Sequence, residues 1–272
     1  MRTAVVVAVL MVIIIASVSQ AEAVSPDRDK IEVRYGEKTL DVFVEFTEPT
    51  VRTYLISGIS KDKGPHYFQV PNRIKVEHRG LLGERGYLVV NSLLDVDGVS
   101  SVGIRTDRIE VGIGRAFTWR LIQPEVLATL RTILLEGGSY QSSGREVAPF
   151  KIVNERCPNS RAEVFHFNRR LEMTVGLLSL QPGLPIPRLE RDMGVLGLKA
   201  KGLVREFVEI KGASWVAVQP YAIRLILFDE RGWKEVRPLV LEAICSAFGE
   251  RDLACEIAEP EAGVRPTPLE GG

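Results

Sequence analysis

Apolar residues in the middle of the chain follow two alternating rhythms. Val89, Val90, Leu93, Leu94 and Val96 recur at helical spacing, and Gly98 then supplies a turn. Val102 and Ile104, then Ile109, Val111 and Ile113, alternate with polar residues on either side of a polar corner at 105–108. That alternation predicts a β-hairpin burying one face. Trp119 falls in the turn that follows, and Pro124 suits the first turn of a second helix, where its missing N–H is not needed. Ile122, Val126, Leu127, Leu130, Ile133 and Leu134 make that helix's inner stripe, and Gly137-Gly138 stops it.

The same rhythm returns 114 positions later, where residues 89–134 align without a gap on residues 203–248. Val90 falls on Val204, Gly98 on Gly212, Ser100 on Ser214, Ile109 on Ile223, Trp119 on Trp233 and Pro124 on Pro238. Leu93/Phe207, Val96/Ile210, Val111/Leu225 and Ile113/Leu227 keep an apolar residue at the same step. The chain has 3 Trp, so two Trp-to-Pro pairs at one spacing argue for duplication rather than chance. Val236, Val240, Leu241, Ile244, Ala247 and Phe248 repeat the helical stripe up to Gly249. Upstream, Val42-Phe43 matches Val164-Phe165, and residues 55–57 match 177–179, at an offset of 122. This gives the first copy eight extra residues (122 minus 114), assigned to 60–65.

Each copy therefore reads β-β-α-β-β-α, an antiparallel sheet with helices on one face. The expected fold class is α+β, two tandem copies of a small two-layer domain. The first copy spans 38–136 and the second, degenerate one 161–249. Residues 137–160 between them read as a linker, opening with the flexible composition GGSYQSSG. Residues 250–272, rich in Pro, Glu and Gly, read as a disordered tail.

The first 23 residues stand apart. Arg2 supplies a minimal positive start, residues 4–18 are apolar apart from Ser17, and Ala21-Glu22-Ala23 has the small-x-small pattern that a signal peptidase accepts. The apolar run is short of the roughly 20 residues a spanning helix needs. The segment reads as a signal peptide or an anchor. The protein is then exported (periplasmic or extracellular) or held at the membrane by residues 4–21, and it is cytoplasmic if the segment is neither.

Charge narrows the partners. Lys plus Arg and Asp plus Glu are both 35, a formal net charge of zero. Such a chain lacks the basic field that dominates nucleic-acid affinity, and it lacks a polybasic membrane patch. Nucleic acid is not an expected partner, and a membrane is one only through an uncleaved N-terminal segment. The 3 cysteines are Cys157, Cys245 and Cys255, enough for one internal disulfide with a thiol left over. Cys245 lies on the apolar side of a predicted helix and reads as a small buried hydrophobe. A disulfide between Cys245 and Cys255 is the other reading.

Several of these segments together resemble a known family. DGVSSV at 97–102, DRIEV at 107–111, Thr118-Trp119 and IQPEVL at 122–127 stand in the order found in the N-terminal domain of Nfu/NifU-type iron–sulfur scaffold proteins. EFTEPT at 45–50 looks like the start of the same domain. The family continues with Asn-Pro after that Thr, whereas Val51-Arg52-Thr53 stands here. The likeness covers about residues 42–136 and, more faintly, 164–249. It implies an accessory domain that binds a protein partner, an iron–sulfur or redox protein. In that family the cluster belongs to a separate domain with a Cys-x-x-Cys pair. No Cys-x-x-Cys occurs in this chain, and 3 scattered cysteines do not supply the thiolates a cluster takes.

No residue emerges as catalytic, cofactor-binding or metal-binding. His66, His78 and His166 have no Cys or second His at ligand spacing and read as surface or structural groups. Gly112-x-Gly114 lacks a third glycine and reads as a bend. Glu125 and Asp107 are isolated carboxylates. Trp119 and Trp233 read as locks between helix and sheet, with exposed recognition aromatics as the other reading. Arg169-Arg170 has no counterpart in the first copy and reads as solvated. The expected function is a non-catalytic protein-binding module, linked through the resemblance to iron–sulfur protein maturation, and no cofactor is expected. The runner-up is an exported small-ligand-binding protein with its site between the two domains. A third reading is an enzyme whose groups come together from distant positions.

Overall fold

A computed structural model of the chain describes residues 28–71, 74–138, 149–156, 161–229, 232–248 and the strand at 256–258. Two six-stranded sheets organise it. The first contains β1 (Arg28–Tyr35), β2 (Lys38–Glu48), β3 (Val51–Leu55), β4 (His66–Gln69), β5 (Val99–Ile104) and β6 (Arg108–Ile113). Its order is β1-β2-β3-β6-β5-β4, antiparallel throughout. Against it pack α1 (His78–Leu94) and α2 (Trp119–Arg131), the latter running into a π-helical turn at Thr132–Glu136.

The second sheet contains β7 (Lys151–Arg156), β8 (Ala162–Phe167), β9 (Leu178–Leu180), β10 (Ala213–Gln219), β11 (Ala222–Leu227) and β12 (Glu256–Ala258). Its helices are α3 (Ile186–Asp192), α4 (Leu198–Glu209) and α5 (Trp233–Ala247). The order, β12-β7-β8-β11-β10-β9, reproduces that of the first sheet strand for strand from β2 onwards. Only the outermost strand differs in origin. β1 precedes β2 and pairs with it antiparallel, whereas β12 follows α5 and pairs with β7 in parallel. The fold is α+β, and each copy adds strands to the expected β-β-α-β-β-α order.

The duplication extends to individual backbone bonds. Gly114 donates its N–H to the Gly98 carbonyl at 2.9 Å, and Phe228 donates to the Gly212 carbonyl at 2.9 Å. Gly98 and Gly212 take φ of +93° and +92°, left-handed values that a side chain rarely adopts. The inner stripes also hold: Ile122, Val126, Leu130 and Ile133 are buried in one copy, and Val236, Val240 and Ile244 in the other. Each such side chain is worth about 1.5–3 kcal/mol on full burial. Gly137 stops the first copy's second helix in the left-handed region, and Gly138 returns its N–H to Thr132 at 3.1 Å.

Upstream, the structure corrects the register. Tyr54 of β3 faces Ile109 and Phe165 of β8 faces Ile223, so these strands correspond at 111 positions (165 minus 54). Val164-Phe165 thus matches Thr53-Tyr54 and not Val42-Phe43. Phe68 of β4 faces Val102 and Leu180 of β9 faces Val216, an offset of 112 (180 minus 68), so residues 177–179 do not match 55–57. There is no eight-residue insertion at 60–65; the second copy is the longer, by three (114 minus 111). A two-residue apolar match says nothing about which face is buried. Val42 is buried while Val164 is only half-buried.

Three further expectations change. Pro124 and Pro238 lie inside α2 and α5 rather than in the first turn, each forgoing one helical bond in the same place. Residues 151–156 of the expected linker form β7, so the second copy begins earlier. Residues 256–258 of the expected tail form β12. The leader-like segment at 1–23 lies outside the described residues. Among those described, no helix is long and apolar enough to cross a membrane.

Candidate functional site between the two copies

The copies meet where the β10–β11 hairpin turns. In the first copy the equivalent turn, residues 105–108, is charged. In the second it carries Pro220-Tyr221, and Tyr221 is buried in the first copy's core. The Tyr221 hydroxyl accepts the Gly98 N–H at 3.0 Å and donates to Asp97 Oδ1 at 3.2 Å. The Phe117 ring meets Tyr221 edge-on at 5.3 Å. Burial, with the Asp97 charge beside it, pushes the phenol pKa upward, so it stays protonated and able to donate.

A second tie is ionic. Arg115, just beyond β6, reaches Glu155 Oε2 in β7 at 3.0 Å, and His166 Nε2 in β8 lies 2.9 Å from the same oxygen. Burial opposes the Glu155 charge, but the His166 hydrogen bond and the Arg115 guanidinium outweigh it and hold the carboxyl below its ordinary range. Burial lowers the His166 pKa further than the Glu155 carboxylate raises it. His166 is therefore a neutral ring donating to the carboxylate.

Beside this seam lies a cleft of about 1320 Å³. The first copy lines it with Tyr67 to Pro71 and with Lys75, His78, Asn91 and Asp95 of α1 and the segment before and after it. The second copy lines it with Arg170, residues 172–174 and residues 194–197, where Met173 bridges Leu196. β4 closes the first sheet on this side and, among the described residues, pairs only with β5. A smaller cavity of about 240 Å³ adjoins the cleft and shares Gln69 and Val70 with it.

The residues singled out in the sequence are mostly structural. Trp119 Nε1–H donates to the Pro49 carbonyl at 3.0 Å, and Trp233 Nε1–H to the Arg161 carbonyl at 3.2 Å, each at the chain entering a central strand. Both rings carry a guanidinium: Arg52 at 4.7 Å on Trp119 and Arg237 at 6.0 Å on Trp233. Arg237 also pairs with buried Glu163, which accepts Asn154 Nδ2–H at 2.9 Å. His66 bonds Asp62 at 2.9 Å, and the His78 ring meets Phe68 edge-on at 5.3 Å. Asp107 pairs with Arg108 at 3.1 Å and Glu125 is buried. Arg170 is exposed, as expected, but stands on the cleft wall.

Two readings are corrected. Gly112 is no bend: it sits within β6, paired with Ser101. Cys245 is not a free buried thiol but is disulfide-bonded. Cys157 and Cys255 lie outside the described residues. Among those described, no three His, Cys, Asp or Glu side chains gather as metal ligands. Tyr221, Arg115 and Glu155 were missed by sequence reasoning. Aligning the two hairpin turns could have flagged Tyr221, because it replaces the charged Asp107 with an aromatic.

No family model matches the chain, and no curated protein matches it. Among solved structures, an X-ray structure of protein SAV1430 from Staphylococcus aureus aligns with 31% of this chain and 90% of its own. The identity is 17% and the TM-score 0.25.

Proposed function

We propose that the protein is a non-catalytic binding module that holds a protein partner in the cleft between its copies. The supporting observation is that both copies build the cleft's walls. Its volume of about 1320 Å³ exceeds the roughly 300–1,000 Å³ of small-molecule sites. One wall is an edge strand, the kind of surface to which an extended segment of another protein adds. Phe68, Ile74, Leu94 and Met173 supply apolar surface among Lys75, Asp95, Arg170 and Glu172. Mixed lining with both signs of charge suits a protein interface better than a strongly charged ligand.

The Nfu-type resemblance favours an iron–sulfur or redox protein as the partner. The leader-like segment at 1–23, with a disulfide at Cys245, favours an encounter outside the cytoplasm. Site-specific photocrosslinkers at Asn91 and Thr174 in the cleft, and at Leu239 outside it, test the reading in the native host. Discrete polypeptide adducts from the two cleft positions, and none from Leu239, are expected. Adducts at all three positions alike, or none in the cleft, would remove it.

A further inference from the structure

Where β5 passes β6, the two copies treat one position in opposite ways. Both strands carry the same irregularity, between Val99 and Ser101 in one copy and between Ala213 and Trp215 in the other. A bulge of this kind sets two successive side chains beside one residue of the partner strand. In the second copy that residue is Ile226, Trp215 stands opposite it, and Ser214 Oγ–H donates to the Ile226 carbonyl at 3.0 Å. The place is filled and satisfied.

In the first copy the residue is Gly112, opposite Ser101. A Cβ on Gly112 would collide with Ser101 Oγ, and Ser100 Oγ would lie 3.5 Å from it. The Ser101 hydroxyl takes the space that a side chain at Gly112 would need, with the Ser100 hydroxyl beside it. Ser100 and Ser101 line the cavity of about 240 Å³ at the seam. Thr50 and Gln69 enter from the first copy and Gln219 from the second. None of these five side chains hydrogen-bonds another group among the described residues. The basic side chains at the rim are committed elsewhere, since the Arg115 guanidinium and the neutral His166 ring both face Glu155. Val70, Ile113 and Pro220 add apolar wall.

Hydroxyls and carboxamides both donate and accept, and here they converge without net charge. We propose that this cavity binds a small uncharged polyhydroxyl molecule of about monosaccharide size, held by Ser100, Ser101, Thr50, Gln69 and Gln219. An anion would find its counter-charge already taken by Glu155. Because walls come from both copies, the ligand would also brace the seam. The inference does not depend on partner docking in the cleft, and its test uses the purified protein alone.

Saturation-transfer NMR on the full chain, with D-glucose and glycerol as neutral probes and inorganic phosphate as the charged one, tests it. The Ser100→Ala/Ser101→Ala double variant removes both hydroxyls without adding bulk, and Gly112→Val drives the Ser101 side chain out of its place. Transfer to glucose is expected, with at least a tenfold weaker Kd in the double variant and no transfer in Gly112→Val. Phosphate should not displace glucose. Absence of transfer to both neutral probes, displacement by phosphate, or unchanged glucose affinity in the double variant would overturn the proposal. Should Gly112→Val fail to fold, the double variant decides.

Discussion

The Tyr221 hydroxyl closes the turn at Gly98, accepting its amide at 3.0 Å from 123 residues away. One copy's hairpin tip thus completes the other copy's core. Removing only that oxygen, in Tyr221→Phe, leaves a buried amide unpaired and should cost about 1–3 kcal/mol. Tyr221→Ala also empties the apolar site beside Phe117 and should uncouple the copies. Denaturant unfolding followed by near-UV dichroism is expected to split from one transition into two. A single transition with an unmoved midpoint in the alanine variant would show that the seam carries no stability.

Gly98 and Gly212 are matched in backbone but not in surroundings. A Cβ on Gly98 would lie 2.6 Å from Ile122 Cδ1 and from Phe117 Cδ1, whereas one on Gly212 meets nothing within 4 Å. Gly212→Ala should cost only the left-handed conformation, about 1–2 kcal/mol. Gly98→Ala must also displace two core side chains and should cost at least a further ~1–3 kcal/mol. Urea midpoints of the two variants check the ranking, and equal losses would mean that the first copy's core gives way without strain.

The two Trp locks allow a paired comparison. Trp119→Phe and Trp233→Phe each keep most of the ring and lose one indole hydrogen bond, to Pro49 or Arg161, for about 0.5–1.5 kcal/mol. Truncation to Ala should cost about 3–5 kcal/mol in either copy. Thermal melts would reveal a recognition role instead if the Ala variants kept full stability.

Acid should loosen the second copy. His166 has a folded pKa below its unfolded value of about 6.5. The unfolded chain therefore takes up a proton first, and stability falls as pH drops through the unfolded pKa. Glu155, with its folded pKa lowered, contributes above the ordinary carboxylate range and loses that contribution only as pH falls toward its own lowered value. Urea midpoints should decline between pH 7 and pH 5, and His166→Gln should flatten that decline. An equally steep decline in the variant would assign it to other groups.

How far the chain could be read in advance depended on where information sat. The turn glycines, Trp locks and helix stripes from Val89 onward are local patterns repeated at 114, and the backbone bond that closes each glycine turn recurs at that spacing. β3 and β8 were misaligned because Arg52-Thr53 became Glu163-Val164, leaving only face-blind apolar pairs to match. β7 went unread because GGSYQSSG before it implied a long linker. The seam was invisible for a different reason: Arg115 meets Glu155, and Tyr221 meets Asp97, only once both sheets exist. Gly112 was visible as a residue. Its meaning came from Ser101, whose hydroxyl takes the space that a side chain such as Ile226 has in the other copy.

The two sheets finish at opposite ends of synthesis. β1 leads the first sheet out of the ribosome, so β2 never waits long for its neighbour. β7 lacks its outer neighbour until residues 256–258 follow α5 more than a hundred positions later. During that interval the nascent second sheet presents a bare edge, the surface from which wrong strand pairings start. Sequence beyond α5 thus acts as a late cover for the second copy. Shortening the chain there would leave the β7 edge without its partner strand and make the newly made protein prone to self-association.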